Sequence, residues 1–197
     1  DCYELSTFDK NPLGKAGLER EITLAKRLMN ELRFIPERWW LGGNHEDRLR
    51  RYIWKRAAEF AGLNALSFES LFGLTQAGFK WKPYGAFIKL GKLLVTHGSV
   101  VSKHSGWTAR AHFEKYGASV LVGHVHRLGV YYKTNAKGVH AGYENGCLCR
   151  LDPEYAQYPD WQQWFSMVQV HQSGWFNVTQ VPILGRKRMF YGGEMFE

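Results

Sequence analysis

Apolar residues recur at spacings of three and four between Leu13 and Phe34 (Leu18, Ile22, Ala25, Leu28, Met29, Leu32), which predicts an amphipathic helix ended by Pro36. Arg38-Trp39-Trp40-Leu41 reads as a short strand, and Gly42-Gly43 as the turn that follows it. A basic helix is expected from about Glu46 to Ala61, stopped by Gly62, then one or two helical turns over Glu69–Phe72. Two apolar runs, Ala86–Leu90 and Leu93–Thr96, flank Gly91-Lys92, a dipeptide that permits the positive φ of a hairpin. Thr108–Tyr116 reads as a helix and Val120–Val122 as a strand. Gly129–Lys133 and Gly138–Gly142 form a second hairpin around Asn135-Ala136-Lys137. Beyond Trp161, Trp164 and Trp175 come strands near Phe176–Val181 and Met189–Tyr191. Helices early and strands late give an α/β class, sheets covered by helices, in one domain over residues 1–197.

Composition narrows the class. Hydrophobic residues make up 45% of the 197 residues and aromatics 15%, enough for a packed core and unlike a disordered chain. No apolar run approaches the roughly 20 residues that span a bilayer. Three cysteines, Cys2, Cys147 and Cys149, have no disulfide-framework spacing, so a reducing, cytoplasmic setting is expected. Cys147-x-Cys149 has the residue types for a metal but no second pair, and small buried thiols are the simpler reading. In that setting the sequon Asn177-Val178-Thr179 stays unused.

A formal charge of +8 favours polyanions, and Arg48, Arg50, Arg51, Lys55 and Arg56 are its densest cluster. They read either as a solvated helix face or as a positive rim that steers phosphate or nucleic acid.

Three Gly-flanked motifs carry the chemistry: Gly43-Asn44-His45-Glu46, Thr96-His97-Gly98 and Gly123-His124-Val125-His126. Two of the three follow a short apolar run (Leu93-Leu94-Val95 and Val120-Leu121-Val122), the arrangement that places ligands at rigid strand ends. Imidazole and side-chain amide oxygen suit hydrolytic metals, so Asn44, His97, His124 and His126 are candidate ligands. On a regular strand the two-residue spacing would turn His124 and His126 to one face. His45 is then placed to protonate a leaving oxygen or hold a phosphate oxygen. Glu46 and Asp47 either orient His45 or occupy the first turn of the basic helix, where acidic groups meet the helix dipole.

In combination these motifs resemble the calcineurin-like metallophosphoesterase superfamily, in particular its bacteriophage and bacterial members. Asp1-Cys2-Tyr3-Glu4-Leu5-Ser6, Asp9-Lys10-Asn11-Pro12 and Asn44-His45-Glu46-Asp47-Arg48-Leu49-Arg50-Arg51 are similar to segments of those members. The resemblance implies a four-layer α/β/β/α sandwich and hydrolysis of phosphate mono- or diesters at two divalent ions (Mn, Fe, Zn or Ni). It implies that Asn44, His97 and His124 hold one ion and His126 the other, and that His45, with Arg48 beside it, contacts the phosphate. The family's opening Asp-x-His and its bridging Gly-Asp are absent here. Asp1 falls where the second acidic residue of Gly-Asp-x-x-Asp lies, so the bridging Asp is expected about three residues upstream, in an N-terminally truncated copy. None of Asp9, Asp47, Asp152 and Asp160 has a recognisable ligand setting. Tyr143-Glu144-Asn145-Gly146-Cys147 could line the cleft or form a turn. The partners expected are a phosphorylated substrate, DNA or RNA included, and no membrane. The competing expectation is a catalytically incomplete module that binds nucleic acid or a protein partner through its basic face. A third expectation is structural histidines beside a surface that stacks single-stranded nucleic acid.

Overall fold

A computed structural model describes Leu5 and residues 17–153, 158–185 and 187–197. Asp1, Cys2, Asp9 and the rest of the family-like N-terminal segment, Leu5 excepted, lie outside the described residues, as does the expected helical start at 13–16. The protein is mixed α/β, with three sheets among the described residues, and the chain divides into two compact units, Asp1–Ala86 and Phe87–Glu197. Among the described residues no helix is long and apolar enough to cross a membrane.

In the first unit, α1 (Leu18–Glu31), β1 (Arg38–Leu41), α2 (Asp47–Arg56), α3 (Phe68–Phe72) and β2 (Phe79–Lys82) follow in order. β1 and β2 are parallel, pairing Trp40 with Trp81, and a parallel pair needs the crossover that α2 and α3 provide. The core joins Ile22 and Met29 of α1 to Phe68, Phe72, Leu74 and Phe79. Leu28, expected on the same face as Ile22, is 58% exposed. Gly42 has no room for a side chain, since a Cβ there would meet the Trp81 ring at 2.5 Å. Phe72 is 2% exposed and stacks on Phe68 at 4.0 Å between centroids. Truncating it to alanine is expected to cost about 3–5 kcal/mol of stability. Urea denaturation reads this directly, and a loss below about 1 kcal/mol would mean that this ring does not organise the unit.

The second unit holds β3 (Phe87–Leu90), β4 (Leu93–Thr96), α4 (Trp107–Tyr116), β5 (Ser119–Val122), β6 (Leu128–Asn135) and β7 (Gly138–Asn145). Then come β8 (Trp164–Val170), β9 (Phe176–Leu184), β10 (Arg188–Tyr191) and β11 (Glu194–Phe196). Five strands form one sheet in the order β3-β4-β5-β7-β6, with β4, β5 and β7 parallel at its centre. Alternation along these strands builds two cores. Leu93, Leu121, Ala141 and Tyr143 face Val168, Phe176 and Val178 of the antiparallel β8–β9 pair. Val120 and Val122 face Ala109 and Phe113 of α4. A helix therefore covers one face of the sheet and a second sheet covers the other. Gly142 lets α4 approach, since a Cβ there would sit 3.0 Å from the Ala109 carbonyl.

Glu144 belongs to this packing and is neither a cleft-lining residue nor part of a turn. It is fully buried near the end of β7, and its carboxylate accepts the Thr108 and Ala109 N–H groups of α4 at 2.8 and 3.1 Å.

Candidate functional site

In the first unit, Asn44, His45 and Glu46 form the turn that leads from β1 into α2. Gly43 N–H donates to the Glu46 carboxylate at 2.7 Å, which closes this turn. Asp47 is the first residue of α2, its side chain 4% exposed and bridged by Arg50 and Arg51. Both acidic groups thus serve the start of the helix, the place a helix dipole favours for negative charge. Arg50 also stacks over Trp54 at 4.6 Å. Two members of the basic cluster are therefore engaged within the helix itself.

In the second unit, β4 and β5 are parallel neighbours with Thr96 in register with Val122. The residues just beyond them are side by side, and Gly123 N–H donates to the His97 carbonyl at 3.0 Å. His97 Nε2 lies 3.2 Å from His124 Nδ1. His124 has φ +69°, and Val125 N–H donates across it to the Gly123 carbonyl at 2.8 Å. That is a γ-turn of the rare, positive-φ kind, an expensive conformation for a residue with a side chain. His126 also has a positive φ, +59°. The expected alternation of His124 and His126 on a regular strand is therefore corrected. The strand ends at Val122, and left-handed backbone rather than pleat aims both rings.

His112 lies outside the three Gly-flanked motifs. It is fully buried; its Nε2 accepts Ser99 N–H at 3.0 Å and its Nδ1 lies 2.8 Å from the Thr108 carbonyl. A neutral ring protonated at Nδ1 satisfies both bonds and anchors the chain just past His97.

His126 sits edge-on to Trp161, with ring centroids 4.4 Å apart. Its Nδ1 is 3.7 Å from Cys149 Sγ, and the donor atoms of His126, Cys147 and Cys149 all lie within 4.8 Å of one another. The pair of cysteines differs from the buried-thiol expectation, because Cys147 is buried but Cys149 is exposed. A hydrogen bond from the Cys147 thiol, and then His126, holds the Cys149 thiol below its ordinary range. The same bond and burial push Cys147 up. In the reduced protein Cys149 is expected to alkylate at least about tenfold faster than Cys147 at neutral pH. Mass mapping after a short iodoacetamide pulse measures the ratio, and equal rates would contradict the asymmetry.

The donor sets suit cations. Two imidazole nitrogens about 2.0–2.1 Å from one ion stand roughly 2.9–3.4 Å apart across octahedral to tetrahedral angles. The His97–His124 separation falls in that range. It equally suits one N–H···N hydrogen bond, which an added ion would replace.

No family model matches the chain, and no curated protein is similar to it. Among solved structures, a double mutant of Vps29 from Entamoeba histolytica is similar at 13% identity and a TM-score of 0.39, over 94% of this chain and 91% of that one.

Proposed function

We propose that the protein is a metal-dependent phosphoesterase of calcineurin-like, four-layer α/β/β/α type, acting on phosphate mono- or diesters with two divalent ions. The observation that carries this reading is the pairing of His97 Nε2 with His124 Nδ1 at the ends of adjacent parallel strands, with His124 held in strained backbone. Strain of that kind, on the order of 1–3 kcal/mol, survives where a side chain must be aimed. A divalent ion at this place supplies Lewis-acid polarisation of a phosphoryl oxygen and activation of water. His97 and His124 would hold it, and His112 fixes the chain at Ser99, two residues past His97. The remaining roles rest on the sequence: Asn44 as a further ligand, His126 at the second ion, His45 protonating the leaving oxygen and Arg48 binding phosphate. The net charge of +8 favours nucleic-acid phosphodiesters among the substrates, and three cysteines without disulfide-framework spacing favour a reducing, cytoplasmic setting.

The test is hydrolysis of an aryl phosphate diester by metal-free protein supplied with Mn, Fe, Zn or Ni in turn. Turnover that a chelator removes and added metal restores is expected. Salt-sensitive DNA or RNA binding with no turnover and at most one bound ion would overturn the reading in favour of a binding module.

A further inference from the structure

Cys147, Cys149 and His126 come from two different loops, and one short segment ties both loops together. Gln162 N–H donates to the His126 carbonyl at 3.0 Å, and the Gln162 carbonyl accepts Cys147 N–H at 2.9 Å. The Gln162 side chain accepts Leu128 N–H at 2.8 Å. Its neighbour Gln163 donates through Nε2 to the Cys149 carbonyl at 2.7 Å, and Trp164 N–H donates to the Cys147 carbonyl at 3.1 Å. Trp161 packs against the His126 ring itself. The backbones of all three donors are thus fixed by hydrogen bonds to residues 162–164, and the ring is fixed by its aromatic neighbour. This is the support that a metal-ligand set needs before it binds.

We propose that His126, Cys147 and Cys149 form a thiolate–imidazole site for a thiophilic divalent cation, zinc above all. The geometry is close to that of the loaded state. In a tetrahedral zinc site the sulfur and nitrogen donors stand about 3.6 Å apart and two sulfurs about 3.8 Å. Cys149 Sγ and His126 Nδ1 are already at 3.7 Å, and no pair of the three donors exceeds 4.8 Å. Closure by about 1.2 Å at most completes the set. Thiolates select zinc over manganese or magnesium, whose preferred donors are carboxylate, carbonyl and water. A donor other than these three occupies the fourth tetrahedral position. Binding releases the remaining thiol protons, so affinity rises with pH. The site goes beyond the phosphoesterase reading and requires none of it. If hydrolysis also holds, the ion at His126 is thiolate-ligated.

The test uses the full chain, reduced and metal-free, with zinc(II) and then cobalt(II) as probes. One zinc per chain is expected at this site. Cobalt(II) in its place should give a thiolate-to-cobalt charge-transfer band, and zinc should protect Cys149 from alkylation by at least tenfold, roughly. Cys149→Ser, at an exposed position, should weaken zinc binding by about a hundredfold or more and remove most of the band. The absence of the band while thiol titration finds both sulfurs free would overturn the proposal. So would a band that His126→Ala leaves unchanged, or a Cys147–Cys149 disulfide that persists under reductant. His97 and His124 contribute no sulfur to the band, so its absence leaves the phosphoesterase reading standing, and loss of hydrolysis leaves the band.

Discussion

Replacing His124 by alanine is expected to lower metal-dependent hydrolysis of an aryl phosphate diester by at least about a hundredfold, and His97→Ala should do the same. The two nitrogens stand 3.2 Å apart, so either truncation leaves a lone imidazole where a pair would grip an ion. His124→Gly separates ligand from scaffold. Glycine adopts φ +69° without a steric penalty, so the variant should keep its thermal stability, or gain on the order of 1 kcal/mol, while losing metal and turnover alike. Activity retained in both His124 variants would mean that the ring is a structural hydrogen-bonding group. A large loss of stability in His124→Gly would point the same way.

The second large effect is on stability. Glu144→Ala should destabilise the protein by about 3–5 kcal/mol and lower the melting temperature by roughly 10 °C. α4 begins after Gly106, which has no side chain to cap it. Trp107 N–H donates to the His104 carbonyl, and the next two donors, Thr108 and Ala109 N–H, bond to a fully buried carboxylate from β7. Removing that carboxylate strands two buried N–H groups, at about 1–3 kcal/mol each, and removes negative charge from a helix N-terminus. Glu144→Gln keeps an acceptor and loses the charge, so roughly half the penalty should remain. Because His112 of α4 anchors Ser99, the alanine variant should also loosen the chain at His97 and weaken metal binding. Thermal and urea unfolding measure the first effect. A change within about 0.5 kcal/mol would show that water satisfies these donors.

Much of the fold was legible wherever pattern and punctuation agree. β1, the β3–β4 hairpin, α4 and β5 stand within a residue of their expected bounds, since short apolar runs there end at glycine or a polar turn. In β2, Phe79 and Trp81 alternate with Lys80 and Lys82, but four residues are too few for the pattern to stand out in the sequence. β8 carried a weaker signal, being partly exposed along most of its length. The expected basic helix to Ala61 stops at Arg56, and a 3₁₀ turn at Ala58–Phe60 replaces its last turn.

The sequence by itself determined that imidazoles stand just past the ends of β4 and β5, because apolar runs followed by His-Gly and Gly-His admit few other local structures. It left Glu46 and Asp47 between orienting His45 and occupying the first turn of the basic helix, and the structure puts Asp47 at the start of α2. Only the tertiary structure decided which donors meet. Parallel pairing of β4 with β5 brings His97 to His124 across 27 positions of sequence, and positive φ, which no alternation rule foresees, aims the rings of His124 and His126. Bonds from Gln162 and Gln163 draw the Cys147-Leu148-Cys149 segment to His126, and a carboxylate from β7 becomes the cap of α4. Local pattern is written in nearest neighbours along the chain. The choice of partner is made by strand order and by the requirement that buried donors and acceptors be satisfied, and both are properties of the folded whole.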